Sequence, residues 1–146
     1  MNIFFGADHR GLELKNKLVE YLQEKNIRIQ DFGSYQYDPQ DDYPDFAQKV
    51  AQAIQQAPNE ALGIVICGSG VGVSVAANRF RGIYCALGFN EEQIKQARAD
   101  DHINMLALPA DHLDFDQAKK IVNAFITTSG KIEEKYLRRL AKLDQI

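Results

Sequence analysis

The sequence predicts an α/β protein, a three-layer α/β/α sandwich with helices on both faces of a five-stranded parallel sheet. Two observations carry that expectation. Short apolar runs of strand length alternate along the chain with segments whose apolar residues recur every three or four positions. The runs are apolar throughout rather than at every second residue, as strands buried on both faces are.

In order, strands are expected at Ile3–Ala7, Ile27–Phe32, Leu62–Cys67, Ile83–Phe89 and Ile103–Leu108. Helical spacing lies between them, in Leu14, Leu18 and Leu22, then in Phe46, Val50 and Ile54, and later in Ala118, Ile121, Val122 and Phe125. Pro44 suits a first helical position, and the pairs Asn90 with Gln93 and Asp114 with Gln117 suit capping boxes. A last helix is expected from Ile132 onward, with Tyr136, Leu140 and Leu143 on its apolar face and Lys135, Arg138, Arg139 and Lys142 beside it. The pattern is more commonly that of a solvated surface helix, but it also suits one whose apolar face packs on a second subunit.

At 146 residues, 45% apolar and 25% charged, the chain fits one globular domain over 1–146 with a single core. A formal net charge of −3 argues against a nucleic-acid footprint. The one basic cluster, in 131–146, suffices for a single phosphate group. No stretch approaches the roughly 18 apolar residues of a membrane span, and Met1 leads into an apolar strand without a basic leader. The expectation is a soluble cytoplasmic protein with both cysteines reduced.

In this architecture ligands sit beyond the carboxyl ends of the strands. Those ends carry Asp8-His9, then Asp42-Tyr43 within an irregular stretch that also holds Tyr35, Tyr37, Asp38 and Asp41, then Cys67-Gly68-Ser69-Gly70-Val71-Gly72. A glycine turn between strand and helix exposes successive backbone N–H groups beside the positive end of the helix, where a phosphate or the Cys67 thiolate is stabilised. Spacing alone leaves Cys67 equally readable as the buried end of a strand and as a base. Cys85, inside a strand with no glycine turn beside it, reads as packing. Val73 stands where a dinucleotide fingerprint needs its third glycine, and no Gly-Lys-Ser/Thr ending follows, so neither a nicotinamide site nor a P-loop is indicated. His9, His102 and His112 form no pair at metal-ligand spacing.

Gly6-Ala7-Asp8-His9-Arg10-Gly11, Asp42-Tyr43-Pro44 and Cys67-Gly68-Ser69-Gly70-Val71-Gly72-Val73-Ser74 followed by Ala76-Ala77-Asn78-Arg79 resemble, in order and spacing, the ribose-5-phosphate isomerase type B family, the ribose/galactose isomerases. The resemblance implies an open sandwich with a Rossmann-like sheet, a homodimer or tetramer with sites shared between subunits, and no metal or organic cofactor. It implies an aldose–ketose isomerase that interconverts ribose 5-phosphate and ribulose 5-phosphate through a cis-enediolate. Cys67 would take the C2 proton, with Ser69 in the catalytic group and the backbone of Gly68, Gly70, Val71 and Gly72 holding the enediolate. Asp8, His9, Tyr43 and Asp101 would contact substrate. Lys135, Arg138 and Arg139, on the terminal helix 131–146, would reach the phosphate held by the other subunit.

The sequence departs from the family pattern at Asp100, where relatives carry a histidine that opens the sugar ring. That step then falls to Asp100, favoured by position, to His102 or to solvent. Asp111 and Tyr84 each stand where an arginine is common, and Lys135 replaces an arginine. These departures keep a six-carbon substrate, allose or galactose 6-phosphate, and a non-catalytic sugar-phosphate-binding module as alternatives.

Overall fold

The computed structural model describes all 146 residues. Its strands are β1 (Asn2–Ala7), β2 (Arg28–Asp31), β3 (Ala61–Cys67), β4 (Cys85–Leu87) and β5 (Met105–Pro109). The helices are α1 (Leu12–Glu24), α2 (Tyr43–Gln56), α3 (Val71–Ala77), α4 (Glu91–Asp100), α5 (Phe115–Thr127) and α6 (Glu134–Leu143). All strand pairings are parallel, in the order β2-β1-β3-β5-β4.

The continuous apolar strands are explained by the two layers they meet. Ile3 and Phe5 of β1, Ile64 and Ile66 of β3 and Leu106 and Leu108 of β5 pack with Leu14, Leu18 and Leu22 of α1 and Ile121 and Phe125 of α5. Their neighbours Phe4, Val65, Met105 and Ala107 turn the other way, against Val50 and Ile54 of α2 and Val73 and Ala77 of α3. Alternate residues of one strand thus serve opposite cores. Cys67, in register with Pro109, belongs to the face of α2 and α3. Because β1 feeds β2 on one side while β3 lies on its other side, the winding reverses between β1 and β3, and their carboxyl ends flank the crevice where such folds bind ligands.

Four elements differ from the sequence expectation. β4 is shorter, Cys85–Leu87, and Asn78 pairs with the Cys85 backbone through its amide, donating to O at 2.8 Å and accepting from N at 2.8 Å. The Asn104 side chain likewise accepts the Tyr84 N–H at 2.9 Å. The exposed side of this edge strand is therefore covered by a side chain rather than by another strand. At α4 the capping is half reciprocal: Asn90 accepts from Gln93 N at 2.8 Å, but the Gln93 side chain turns to Phe89 N and Leu87 O. At α5 the box of Asp114 and Gln117 is complete, at 2.8 and 2.9 Å. Pro44 occupies the second helical position of α2, Tyr43 the first, with no N–H lost that a helix would use.

The last helix begins at Glu134, leaving Ile132 outside it and exposed. Tyr136 is its buried anchor, and its end is fastened by Arg81, which donates to Asp144 O at 3.1 Å, and by the Tyr84 hydroxyl, which donates to the Asp144 carboxylate. No helix is long and apolar enough to cross a membrane.

Candidate functional site at the strand ends

β3 ends at Cys67 and the chain turns through Gly68, Ser69 and Gly70 into α3. Gly70 has φ 72°, the left-handed region, and a Cβ there would lie 2.5 Å from Leu87 Cδ1 and 3.0 Å from the main chain at Leu108 and Pro109. Only glycine fits this corner. The backbone N–H groups of Gly68, Ser69, Gly70 and Gly72 have no hydrogen-bond partner in the chain, whereas Val71 N donates to Ser69 Oγ at 3.2 Å. Ser69 thus braces the turn, and the remaining donors follow Cys67 at the corner where β3 gives way to α3. That is an anion cradle of main-chain dipoles. Cys67 itself is 5% exposed, so little bulk water reaches its thiol.

The first turn of α2 covers this cradle from the same face. A Cβ on Gly72 would lie 2.7 Å from Cζ of Tyr43, so the phenol ring rests directly on the glycine backbone. Across the switch point, Asp8 is buried and its Oδ1 accepts from Arg10 N at 3.0 Å and Gly11 N at 3.1 Å, so one oxygen holds the turn into α1. Burial pushes the Asp8 carboxyl above its ordinary range, against the pull of those N–H groups and of His9.

His9 is set by a residue that the sequence left among loop polars. Asp41 Oδ1 accepts from the His9 ring at Nδ1, 2.6 Å away, and from the His9 backbone N–H at 3.0 Å. A carboxylate only accepts, so Nδ1 carries the proton and Nε2 is left free. Asp41 Oδ2 is buried and unpaired. Asp8, His9 and Asp41 bring three potential metal-ligand atoms within 4.8 Å of one another, yet Nδ1 and Oδ1 bind each other rather than face a common centre.

Arg10 and Asp111 form an ion pair over Gly68. Position 111, where the family pattern commonly has an arginine, is thus an anion whose partner cation stands on the loop after β1.

The other expected site residues lie elsewhere in the chain. α4 and α5 run back against the strands, so Asp100, Asp101 and the segment into α6 sit at the amino edge of the sheet. That edge is about 15–20 Å from the strand ends. There Asp100 accepts from Lys131 Nζ at 2.5 Å, which holds its carboxyl below the ordinary range. His102 Nε2 is bound to Lys131 O at 2.7 Å. Asp101 lines a cavity with Asn78, Arg81, Tyr84 and Leu143. Arg138 is paired with Glu134 at 2.9 Å, while Lys135 and Arg139 have no carboxylate partner and flank the Tyr136 ring. One chain brings together Asp8, His9, Tyr43, Cys67, Ser69 and the glycines, and keeps Asp100, Asp101, Lys135, Arg138 and Arg139 apart from them. Tyr84 acts as the clasp of α6. Cys85, whose thiol burial pushes up to about 12, is packing as expected.

Fold and site together define a doubly wound α/β protein with a cradle of main-chain N–H groups at its strand ends. The family model for ribose/galactose isomerase matches residues 3–143. Over 142 residues the chain is 38% identical to a probable ribose-5-phosphate isomerase B of Mycoplasma genitalium, spanning 97% of this chain and 93% of that protein. The ribose-5-phosphate isomerase B of Mycobacterium leprae is 34% identical over 140 residues, 96% of this chain and 86% of that one. Among solved structures, ribose-5-phosphate isomerase B of Mycoplasma genitalium with bound ribulose-5-phosphate matches with a TM-score of 0.94 at 38% identity, covering 99% of this chain and 94% of that one. The enzyme from Thermotoga maritima matches with a TM-score of 0.93 at 39% identity, covering 99% and 98%. The chain belongs to the ribose/galactose isomerase family.

Proposed function

We propose that this protein is a ribose-5-phosphate isomerase, converting ribose 5-phosphate to ribulose 5-phosphate and back through a cis-enediolate. The observation that carries the reading is the run of unpartnered N–H groups at Gly68, Ser69, Gly70 and Gly72 directly after Cys67. In the forward direction the Cys67 thiolate takes the C2 proton of the open-chain aldose, the electron pair forms the C1–C2 double bond, and the carbonyl oxygen becomes an enediolate oxygen held by those amides. The hydroxyl proton of O2 passes to O1 across the cis-enediolate, and as the C1–C2 electron pair takes the carbon-bound proton back from Cys67 at C1, O2 becomes the carbonyl oxygen of the ketose. Donors fixed before the reaction lower the energy of a charge that develops only in the transition state. His9, oriented by Asp41, Asp8 through its free oxygen, and Tyr43 bind the sugar hydroxyls.

The same reading makes the working unit a homodimer. Lys135 and Arg139, unpaired at the amino edge, would close on the phosphate at the strand ends of a second copy, and Asp100 would reach the same site, its carboxylate moving the anomeric proton toward the ring oxygen. A cytoplasmic setting fits both cysteines being free.

Cys67→Ala tests the base. We expect isomerisation of ribose 5-phosphate to fall roughly 100- to 10,000-fold, and exchange of the C2 hydrogen with D2O to vanish, with the melting temperature unchanged. Turnover within threefold of the wild type would remove Cys67 from the mechanism. Parallel assays with allose 6-phosphate and galactose 6-phosphate separate five- from six-carbon specificity. For ring opening, Asp100→Asn should slow turnover of cyclic substrate more than about tenfold, with His102→Asn within threefold; the opposite ranking transfers the step to His102.

A further inference from the structure

The five loops at the carboxyl edge of the sheet, residues 8–11, 32–42, 68–70, 88–90 and 110–114, contain a single lysine or arginine, Arg10. Around it stand Asp8, Asp38, Asp41, Asp42, Asp111 and Asp114. A dianionic substrate entering this edge meets a field that is negative except at Arg10, unless the cation comes from another chain.

Arg10 is not a stray surface charge. A Cβ built on Gly68 would fall 2.5 Å from its Nε and 2.6 Å from its Cζ, so the guanidinium lies against the main chain of the cradle itself. Asp111 fixes it there: its carboxylate takes one N–H of the terminal Nη2, and its own backbone N donates to Gly68 O at 3.0 Å. Turn, arginine and aspartate are therefore one connected unit. The guanidinium keeps its Nε–H and Nη1 without partners in the chain, and the side chain is 58% exposed. A planar donor fork pinned at one corner and open on the others is arranged for bidentate contact with a phosphate or carboxylate.

We infer that Arg10, pinned by Asp111 over Gly68, is the chain's own anion-recognition residue for the phosphoryl group of the substrate. The inference rests on the isomerase reading for the identity of the ligand, and on geometry alone for the site. It divides the phosphate grip between Arg10 of the subunit that holds the sugar and the cations of α6 from the other, with Asp111 as a positioning residue.

Arg10→Met keeps an apolar stem against Gly68 and removes the charge, Arg10→Lys keeps a charge without the fork, and Asp111→Asn releases the pin while leaving the arginine. Binding of inorganic phosphate to each full-length protein is measured by titration calorimetry, and KM and kcat with ribose 5-phosphate are measured alongside. Arg10→Met should weaken phosphate binding and raise KM by about tenfold or more, with kcat within threefold. Arg10→Lys should recover part of the loss. Asp111→Asn should weaken phosphate binding by about threefold, less than Arg10→Met, since the cation remains but loses its pin. Phosphate binding unaltered in Arg10→Met, or equal losses in Arg10→Met and Asp111→Asn as for a pair that only braces the loops, would overturn the inference. Thermal melts of all three show that a loss is not unfolding. Because the phosphate titration needs no turnover, absence of isomerase activity in the wild type would defeat the functional reading without touching the test of Arg10.

Discussion

Lys15 shows how one residue ties the core to the site. It is wholly buried, its Nζ donates to Ser34 O at 2.8 Å and to the Asp31 carboxylate, and the Tyr35 ring lies 5.6 Å away. The cation thus sits at the root of the 32–42 loop, whose far end delivers Asp41 to His9. Lys15→Met fills much of the same volume but strands Asp31, which is only partly exposed. We expect a loss of about 3 kcal/mol in urea unfolding; a change below about 0.5 kcal/mol, the size of an ordinary surface substitution, would show that the pair has no structural role. Nothing local announces this residue, since its partners are 16 and 19 positions away. The same holds for Asp41 with His9, at a separation of 32, and for Arg10 with Asp111, at 101. Cys67 and its glycines were legible because their chemistry is written in consecutive residues.

Among the elements, those with strong periodicity were legible and those that lean on distant partners were not. α1, α2 and α5 declare their buried stripes, whereas β4 depends on Asn78 and Asn104, which no strand pattern contains. α6 was visible as an amphipathic segment, but its docking was not. Tyr84 and Arg81 hold it through Asp144, and burial together with that carboxylate pushes the Tyr84 phenol up to about 12. A phenol near 10 in the unfolded chain and near 12 here favours the protonated folded form. The stabilisation is complete below pH 10 and is lost as pH rises toward 12. Tyr84→Phe should therefore abolish one late-titrating component in the tyrosinate absorbance and leave α6 less protected from amide exchange at neutral pH. An unchanged alkaline titration would show that the clasp does not hold in solution.

At the scale of the molecule, the sheet order was not legible, because strand sequence does not encode which neighbour each run will take. That order puts Asp8 and Cys67 side by side. It also leaves the α6 cations a full strand length from Cys67, so the shared-site reading has a decisive test. Cys67→Ala subunits mixed with Lys135→Ala/Arg139→Ala subunits should regain about a quarter of wild-type activity, since half of the random dimers are mixed and each keeps one intact centre. No recovery despite mixed dimers would confine the phosphate contacts to a single subunit. Complementary halves on opposite edges also constrain assembly. Joined head to tail without closing, such halves would propagate into a filament; related by a two-fold axis, they satisfy each other and growth stops. Catalysis would then depend on protein concentration, fading on dilution below the point where subunits separate even though every monomer stays folded.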